Sequence, residues 1–497
     1  MRAIIIDDAF IEFRYARNLA NGYGIIWNPQ EKREEAYSNF LAVLILWPFF
    51  YFRFDPIVIS KFINILSLLM TAFILYRLSK DEKIDKLVAL TVSAIYISMY
   101  SSVKHALTGL NTALFVFVLF NFFYIATKSR DRNNSKWYFI FLPLTYLITI
   151  LARLEGIFFA SLFLFLLLYK SKHNRRFFLI SCIICYTLGL LYLIWKKFYF
   201  GSIFSCPFYV KVKEPWTLPG KIDLIFFIFN YNMLFIFALL GFIFSNRKMN
   251  IRYSVFFVLL ICFTYLFNSH LMGFEGRFFM PAVPFILFLM AVALDKIISI
   301  ITQEKYRYIF LISIVLFINL SYFNFKTEIA NYFAFRRFIF KGSELLEAWT
   351  EKDIQLGKAL ATLKNISQVK ILSEDSGAIG YYSDAKVIDF AGHTHRDIAK
   401  IKDKSQRLRY TIFSYSPDLI ILRKEKEYET INNYSEQDKK FLLLKDLEQQ
   451  GKYIFVGRTL DKDNFPTPYY FNFWIKKDSP YFSELFILLN NLIYKKL

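Results

Sequence analysis

From residue 56 to residue 325 the chain alternates long apolar runs with short polar connections, and the runs are of membrane-spanning length. They fall at 56–79, 87–103, 112–127, 136–152, 156–170, 177–198, 222–245, 253–268, 279–300 and 308–325, and they predict about ten transmembrane helices. Every second connection is basic: Arg77/Lys80/Lys83/Lys86, Lys128/Arg130/Arg132/Lys136, Lys170/Lys172/Arg175/Arg176, Arg247/Lys248/Arg252 and Lys305/Arg307. The positive-inside bias puts these on the cytoplasmic side. The connections near 104–111, 153–155, 199–221 and 269–278 then face outward, with residues 1–38 and everything after 326. The run 39–53 is apolar enough to span, but counting it would place every basic loop outside. It reads as juxtamembrane, with Trp47 and Tyr51 suited to the headgroup level.

After Phe325 the long apolar runs give way to charges, turn residues and short runs. Helical periodicity at 351–364 precedes strand-like runs at 369–373, 386–390, 418–422, 453–457 and 470–475, which predicts an extracytoplasmic α/β domain at 326–497. The segment 480–497 reads as a terminal helix that packs or touches lipid. The expected division is an external loop and juxtamembrane helix at 1–55, a helical membrane domain at 56–325 and the α/β domain. The fold class expected is a polytopic α-helical membrane protein with a C-terminal α/β extracytoplasmic domain.

Composition sharpens this picture. Among 497 residues 56% are hydrophobic and 20% aromatic, which excludes a water-soluble globule. The formal charge of +21 would suggest a nucleic-acid partner in a soluble protein. Here the excess sits in the loops on one side, so insertion into a bilayer explains it. Cys182 and Cys185 have redox spacing but lie within an apolar run, where a thiol is inert. No signal peptide or helix precedes Asp7 and Asp8, so an outward location for that pair calls for an upstream in-to-out helix.

Chance alone produces about three adjacent acidic pairs in such a chain, and an aspartate can simply cap a helix. Asp7-Asp8 gains interest from its place at an outer membrane surface, ahead of Phe10, Ile11, Arg14, Tyr15 and Arg17 at helical spacing. One carboxylate can deprotonate an acceptor hydroxyl while the other orients it or, in the case of Asp8, binds a divalent metal such as Mg, Mn or Ca. On the same side lie Lys104 with His105, Arg153 near Glu155, and Arg277 near Glu275. Each arginine can pair with its neighbouring glutamate, or with the phosphate of a lipid-linked donor. Glu155, Glu275, Asn111, Trp216 and His393 are candidate acceptor or sugar contacts. His393 and His395 have metal-compatible spacing but no third ligand nearby.

These residues carry a resemblance. Asp7-Asp8-Ala9-Phe10-Ile11, Arg14-Tyr15-Ala16, Asn18-Leu19, Gly22-Tyr23-Gly24, Asn28 and Tyr37-Ser38 resemble the first external loop of GT-C membrane glycosyltransferases, closest to the terminal arabinofuranosyltransferase (AftB-like) branch. Gly109-Leu110, Arg153 to Gly156, Arg277 to Pro281 and Gly377 to Tyr382 through Asp389 to Gly392 extend it. The resemblance implies inverting transfer of a sugar from a polyprenyl-phosphate donor to an extracytoplasmic glycan or lipid acceptor, at the outer face of a bacterial plasma membrane. Asp7 would be the base, Asp8 its assistant through a metal or the acceptor, and Arg153 and Arg277 the stabilisers of the leaving phosphate. This chain has Asn111 where that family carries a carboxylate, and its Phe-, Ile-, Lys- and Asn-rich composition departs from arabinan builders. The sugar therefore stays open between a pentofuranose and another polyprenyl-linked residue. The rival classes are a flippase or transporter of lipid-linked sugar, and a polymerase or ligase of the O-antigen type. Transporters favour internal repeats and mid-membrane polar sites, whereas the charges here gather at the outer ends.

Overall fold

The computed structural model describes residues 5–131, 137–170, 175–211, 218–245, 248–266, 274–332, 342–424, 439–459 and 470–494. The chain forms two compact units. One joins Ser38–Phe198 to Lys211–Ser343, and the other joins Met1–Tyr37, Tyr199–Val210 and Glu344–Leu497.

The chain opens on α1 (Asp8–Ala20), which belongs to the second unit. Then come α2 (Phe40–Tyr51), α3 (Pro56–Asp81), α4 (Lys86–Ser98), α5 (Tyr100–Leu107), α6 (Thr112–Asp131), α7 (Tyr138–Ala152), α8 (Glu155–Lys170) and α9 (Arg175–Phe200). After α10 (Cys206–Lys211) follow α11 (Leu218–Asn230), α12 (Asn232–Ile243), α13 (Met249–Leu266), α14 (Val283–Ile300) and α15 (Glu304–Tyr332). Their starts follow local chemistry: Asn39 accepts from Ala42 N at 2.9 Å, Asp55 from Ile57 N at 2.8 Å beside Pro56, and Asp85 from Leu87 N at 2.7 Å.

The apolar runs are largely helical, but they do not all cross as single rods. Among the described residues five stretches are long and apolar enough to span a membrane, and seven if each of two bent pairs counts as one. This is a multi-pass membrane protein. The bent pairs are α4 with α5, turned by 51°, and Asp223–Asn230 with α12, turned by 78°. α6 and the Phe274–Ile300 stretch lie at the centre of the helical unit, 72% buried, while α3 and α9 are only 39% and 33% buried and present apolar faces suited to lipid. The centre is aromatic: Phe285 stacks on Phe257 at 4.8 Å and meets Phe123 and Phe120 edge-on at 5.0 and 5.1 Å.

The second unit carries a five-stranded sheet of β1 (Lys370–Ser373), β2 (Lys386–Asp389), β3 (Leu419–Lys424), β4 (Tyr453–Arg458) and β5 (Tyr470–Lys476), in the order β2-β1-β3-β5-β4. All five expected strands form, and the helix expected at 351–364 overlaps Gly342–Leu360, which starts earlier and ends four residues sooner. β1 pairs in parallel with β2 and β3, and β5 pairs antiparallel with β3 and β4. Leu372, Ile388, Ile420 and Trp474 pack with Leu408 and Leu444 into the core of this sheet. The chain leaves β1 toward β2 and then returns past β1 to reach β3. That reversal opens a crevice at the carboxyl ends of β1 and β3, the place where open α/β sheets bind ligands.

Candidate functional site

Asp7 sits at this crevice. Its Oδ1 accepts from Ala378 N at 2.6 Å and its Oδ2 from Gly377 N at 3.0 Å, at the start of the helix Gly377–Ser383 that follows β1. It makes no side-chain cap of its own helix α1. Glycine at 377 is required, because a Cβ there would collide with the Asp7 carbonyl and carboxylate. Burial and the nearby Asp375 carboxylate push the Asp7 carboxyl up to about 8, with Asp8 adding to the rise and the two N–H bonds opposing it. Asp375 is itself held by Arg423 at 2.9 Å. Asp8 is the first residue of α1 and, like Asp7, is partly exposed. Among the described residues no group of three His, Cys, Asp or Glu side chains is placed to hold a metal.

The rest of the opening motif ties α1 and its loop to the sheet. Arg14, 2% exposed, donates to Trp27 O at 3.0 Å, Gly380 O at 2.5 Å, Ala385 O at 2.7 Å and Asn28 Oδ1 at 3.0 Å, with its guanidinium 4.5 Å from the Trp27 ring centre. Gly380 admits this approach, since a Cβ there would lie 2.6 Å from Arg14 Nη1. Arg17 bonds Tyr381 O at 2.8 Å and pairs with Asp384. Asn18 holds Ile26 O and Trp27 O, and both Trp27 Nε1 and Asn28 Nδ2 reach Val387 O in β2. His395 is buried against Thr394 at 2.8 Å and Glu31 at 3.8 Å. His393 is half-buried, and its backbone N–H bonds Asp389 Oδ2 at 2.7 Å.

The cations assemble in the helical unit. The Arg153 guanidinium lies 5.4, 5.8 and 6.0 Å from the rings of Phe115, Phe278 and Tyr265, and Arg277 lies 6.0 Å from Phe278. Lys211 joins them at 5.7 Å from the same Phe278 ring. Three positive charges thus surround one aromatic side chain. Arg153 forms the expected ion pair with Glu155 at 3.0 Å, whereas Arg277 Nε donates to Thr112 Oγ1 at 3.1 Å. Lys104 and His105 are buried on α5, and His105 Nε2 lies 3.4 Å from Glu275 O while its ring rests on Phe274. Glu275 and Gly276 both take left-handed backbone, turning the chain so that Arg277 follows at once.

Asn111 ends the loop that leads into Thr112, the first residue of α6. Its Oδ1 accepts from Asn64 Nδ2 at 3.1 Å and its carbonyl from Asn39 Nδ2 at 3.4 Å, while Ser60 holds Gly109 O at 2.9 Å. Its side chain helps to fix the start of α6 that Arg277 touches. Trp216 lies outside the described residues. Lys211, Thr112 and Phe278 were absent from the expected set. A lysine in an aromatic loop is a weak signal, and only the fold brings it to Phe278.

Comparison with known proteins follows this geometry. Residues 344–471 match a family model described as a domain of unknown function, DUF8728. No curated protein matches the chain. Among solved structures, ArnT from Cupriavidus metallidurans in the apo state is 11% identical, with 85% of this chain and 89% of that chain covered and a TM-score of 0.50. The same protein bound to undecaprenyl phosphate is 10% identical, with 85% and 90% covered and a TM-score of 0.51. The Archaeoglobus fulgidus oligosaccharyltransferase in complex with zinc and sulfate is 12% identical, with 93% and 69% covered and a TM-score of 0.45. The ArnT likeness shows the fold: this chain has an ArnT-like architecture, a helical membrane region with a small C-terminal sheet domain, as expected for its fold class.

Proposed function

We propose that the protein is an integral-membrane glycosyltransferase that takes a sugar from a polyprenyl-phosphate donor and passes it, with inversion, to an extracytoplasmic glycan or glycolipid acceptor. The observation that carries this reading is the cluster of Arg153, Arg277 and Lys211 around Phe278 in a chain of ArnT-like fold. The ArnT neighbour, of the same fold, was solved with undecaprenyl phosphate, a ligand that three such cations would suit. The resemblance of the opening motif leaves the sugar between a pentofuranose and another polyprenyl-linked residue.

In this reading the acceptor oxygen attacks the anomeric carbon from the face opposite the phosphate. The bond from that carbon to the phosphate oxygen breaks, and the electron pair leaves with the lipid phosphate. Arg153, Arg277, Lys211 and the neighbouring Lys104 stabilise that charge. The resemblance of the opening motif assigns the acceptor proton to the Asp7 carboxylate. A carboxyl titrating near 8 is a stronger base than an ordinary aspartate, and its ionised form, a minority near neutral pH, grows as pH rises. Phosphate is a good leaving group once neutralised, so no separate general acid is required. Asp8 lies beside the base and orients the acceptor.

The test is donor turnover by full-length protein in nanodiscs, on a panel of polyprenyl-phosphate sugars, with wild type, Asp7→Asn and Arg277→Ala. Transfer by wild type that is lost in Asp7→Asn supports the reading and names the sugar. Lipid-sugar translocation without turnover, unchanged in both variants, would replace the transferase with a flippase.

A further inference from the structure

Two spans of the helical unit are broken, and the breaks meet. α4 gives way to α5 at Met99, whose backbone is extended there, and α11 gives way to α12 at Tyr231. Neither break falls on a proline or a glycine; serines flank Met99 and asparagines flank Tyr231, weaker helix terminators that do not by themselves force a break. A continuous helix would have kept its backbone hydrogen bonds in lipid, and such interruptions persist only where the surrounding protein holds them.

The two breaks lie at matching depth. α4 has 13 residues and α12 has 12, so each break stands about 18–20 Å from the basic end of its helix. That is roughly two-thirds of the way through a hydrocarbon core. At the basic ends, Lys248 pairs with Glu82 at 3.4 Å and Asn250 donates to the same carboxylate at 2.6 Å, which ties the approaches to α4 and α12 together. At the breaks, the Ser101 and Tyr231 hydroxyls are hydrogen-bonded, and both residues are buried. Asn319 donates to Ser98 Oγ at 3.1 Å alongside, and Met99, Ser101, Asn230 and Tyr231 line a small cavity there. Polar groups at this depth are costly and mark function more often than chance.

What lies beyond the breaks is the cation site. One turn along α5 from Ser101 is His105, with Lys104 beside it, and His105 touches the Glu275 carbonyl. One turn back along α11 from Tyr231 is Phe227, which stacks on Phe279 at 5.2 Å and packs against Gly276, on either side of Arg277. The hydrogen bond therefore joins the two half-helices that carry opposite walls of this site.

We propose that Ser101 and Tyr231 are positioning residues for the lipid-phosphate site: their hydrogen bond fixes the angle at which α5 and α11 leave their breaks, and so the spacing between Lys104 and Arg277. This rests on the transferase reading above. It is tested in full-length protein in nanodiscs, with Tyr231→Phe, Ser101→Ala, the double variant and Ser101→Thr. The readouts are KM and kcat for the active donor, affinity for undecaprenyl phosphate, and the midpoint of thermal unfolding.

Each single variant is expected to raise donor KM and weaken undecaprenyl phosphate binding by about ten-fold, with a much smaller change in kcat. The double variant should be no worse than either single one, because both remove one shared interaction. Ser101→Thr, which keeps the hydroxyl, should restore most of the affinity. Variants that bind within two-fold of wild type, or that lose affinity only as their unfolding midpoints fall and without rescue by threonine, would overturn the proposal while an active wild type leaves the transferase standing. A wild type that neither transfers from any donor nor binds undecaprenyl phosphate would overturn both.

Discussion

In the sheet-bearing unit the arginines of the opening motif are buried against acceptors, Arg14 on three carbonyls and an amide oxygen and Arg17 on Tyr381 O and Asp384. In the helical unit Arg153, Arg277 and Lys211 gather around the ring of Phe278. A guanidinium wrapped by carbonyls is committed to joining distant pieces of chain. Arg153 and Arg277 instead bond the side chains of Glu155 and Thr112, polar groups that an anion could replace or share. On the proposed function the two groups do different work, joining the chain in one unit and binding a phosphate in the other.

The largest effect is expected where the cations are removed. Arg277→Ala should lower kcat/KM about 10²–10³-fold with little change in unfolding temperature, as for loss of one preorganised charge donor. Steady-state transfer assays beside a thermal melt would check it. If the melt collapses while the surviving folded protein keeps its activity, Arg277 belongs with Arg14 as an architectural residue.

Arg14→Ala should act in the opposite sense. Removing a buried charge that serves four acceptors should cost about 3 kcal/mol or more, seen as early unfolding or proteolysis of the sheet-bearing unit, before any change in affinity for undecaprenyl phosphate. Arg14→Lys should fail to rescue, because one ammonium cannot reach acceptors set for a planar fork. Gly380→Ala attacks the same contact from the other side, and overpacking there should cost about 1–3 kcal/mol, measured by denaturant titration.

The smallest effect concerns pH. The Asp7 carboxyl titrates near 8 when folded and near the ordinary carboxylate value when unfolded, so between these values the folded state binds the extra proton. Its contribution to stability is therefore full below about pH 4 and is lost as pH rises toward 8. Asp7→Asn should flatten that slope in unfolding measurements. If Asp7 is also the base, kcat/KM should rise with pH through an apparent value near 8 over the range in which stability falls. A profile flat across that range would leave Asp7 with its structural hydrogen bonds to Gly377 and Ala378 alone.

Much of the architecture was legible along the chain. The five strands lie where short β-branched and aromatic runs predict them, because each is bounded by turn residues and buried on an interior face. The breaks at Met99 and Tyr231 were hard to read, since the serines and asparagines beside them disfavour a helix only weakly; the contact that accompanies them joins residues 130 positions apart. The same distance problem hid the role of Arg14, whose partner Gly380 is 366 positions away. Lys211 escaped notice for a related reason, because its neighbour Phe278 is known only once the helices pack. Asn111 stood out as a departure from a family pattern, and its hydrogen bond to Asn64 gives that departure a packing role.

The most direct measurement compares the binding of undecaprenyl phosphate with that of uncharged undecaprenol to wild type, Arg277→Ala and Arg14→Lys in nanodiscs. If the cations around Phe278 form the phosphate site, wild type should prefer the phosphate by at least about 100-fold, and Arg277→Ala should lose most of that preference. Folded Arg14→Lys protein should retain it. Equal affinity of wild type for the two lipids, or a preference that survives in Arg277→Ala and disappears in folded Arg14→Lys, would contradict the assignment.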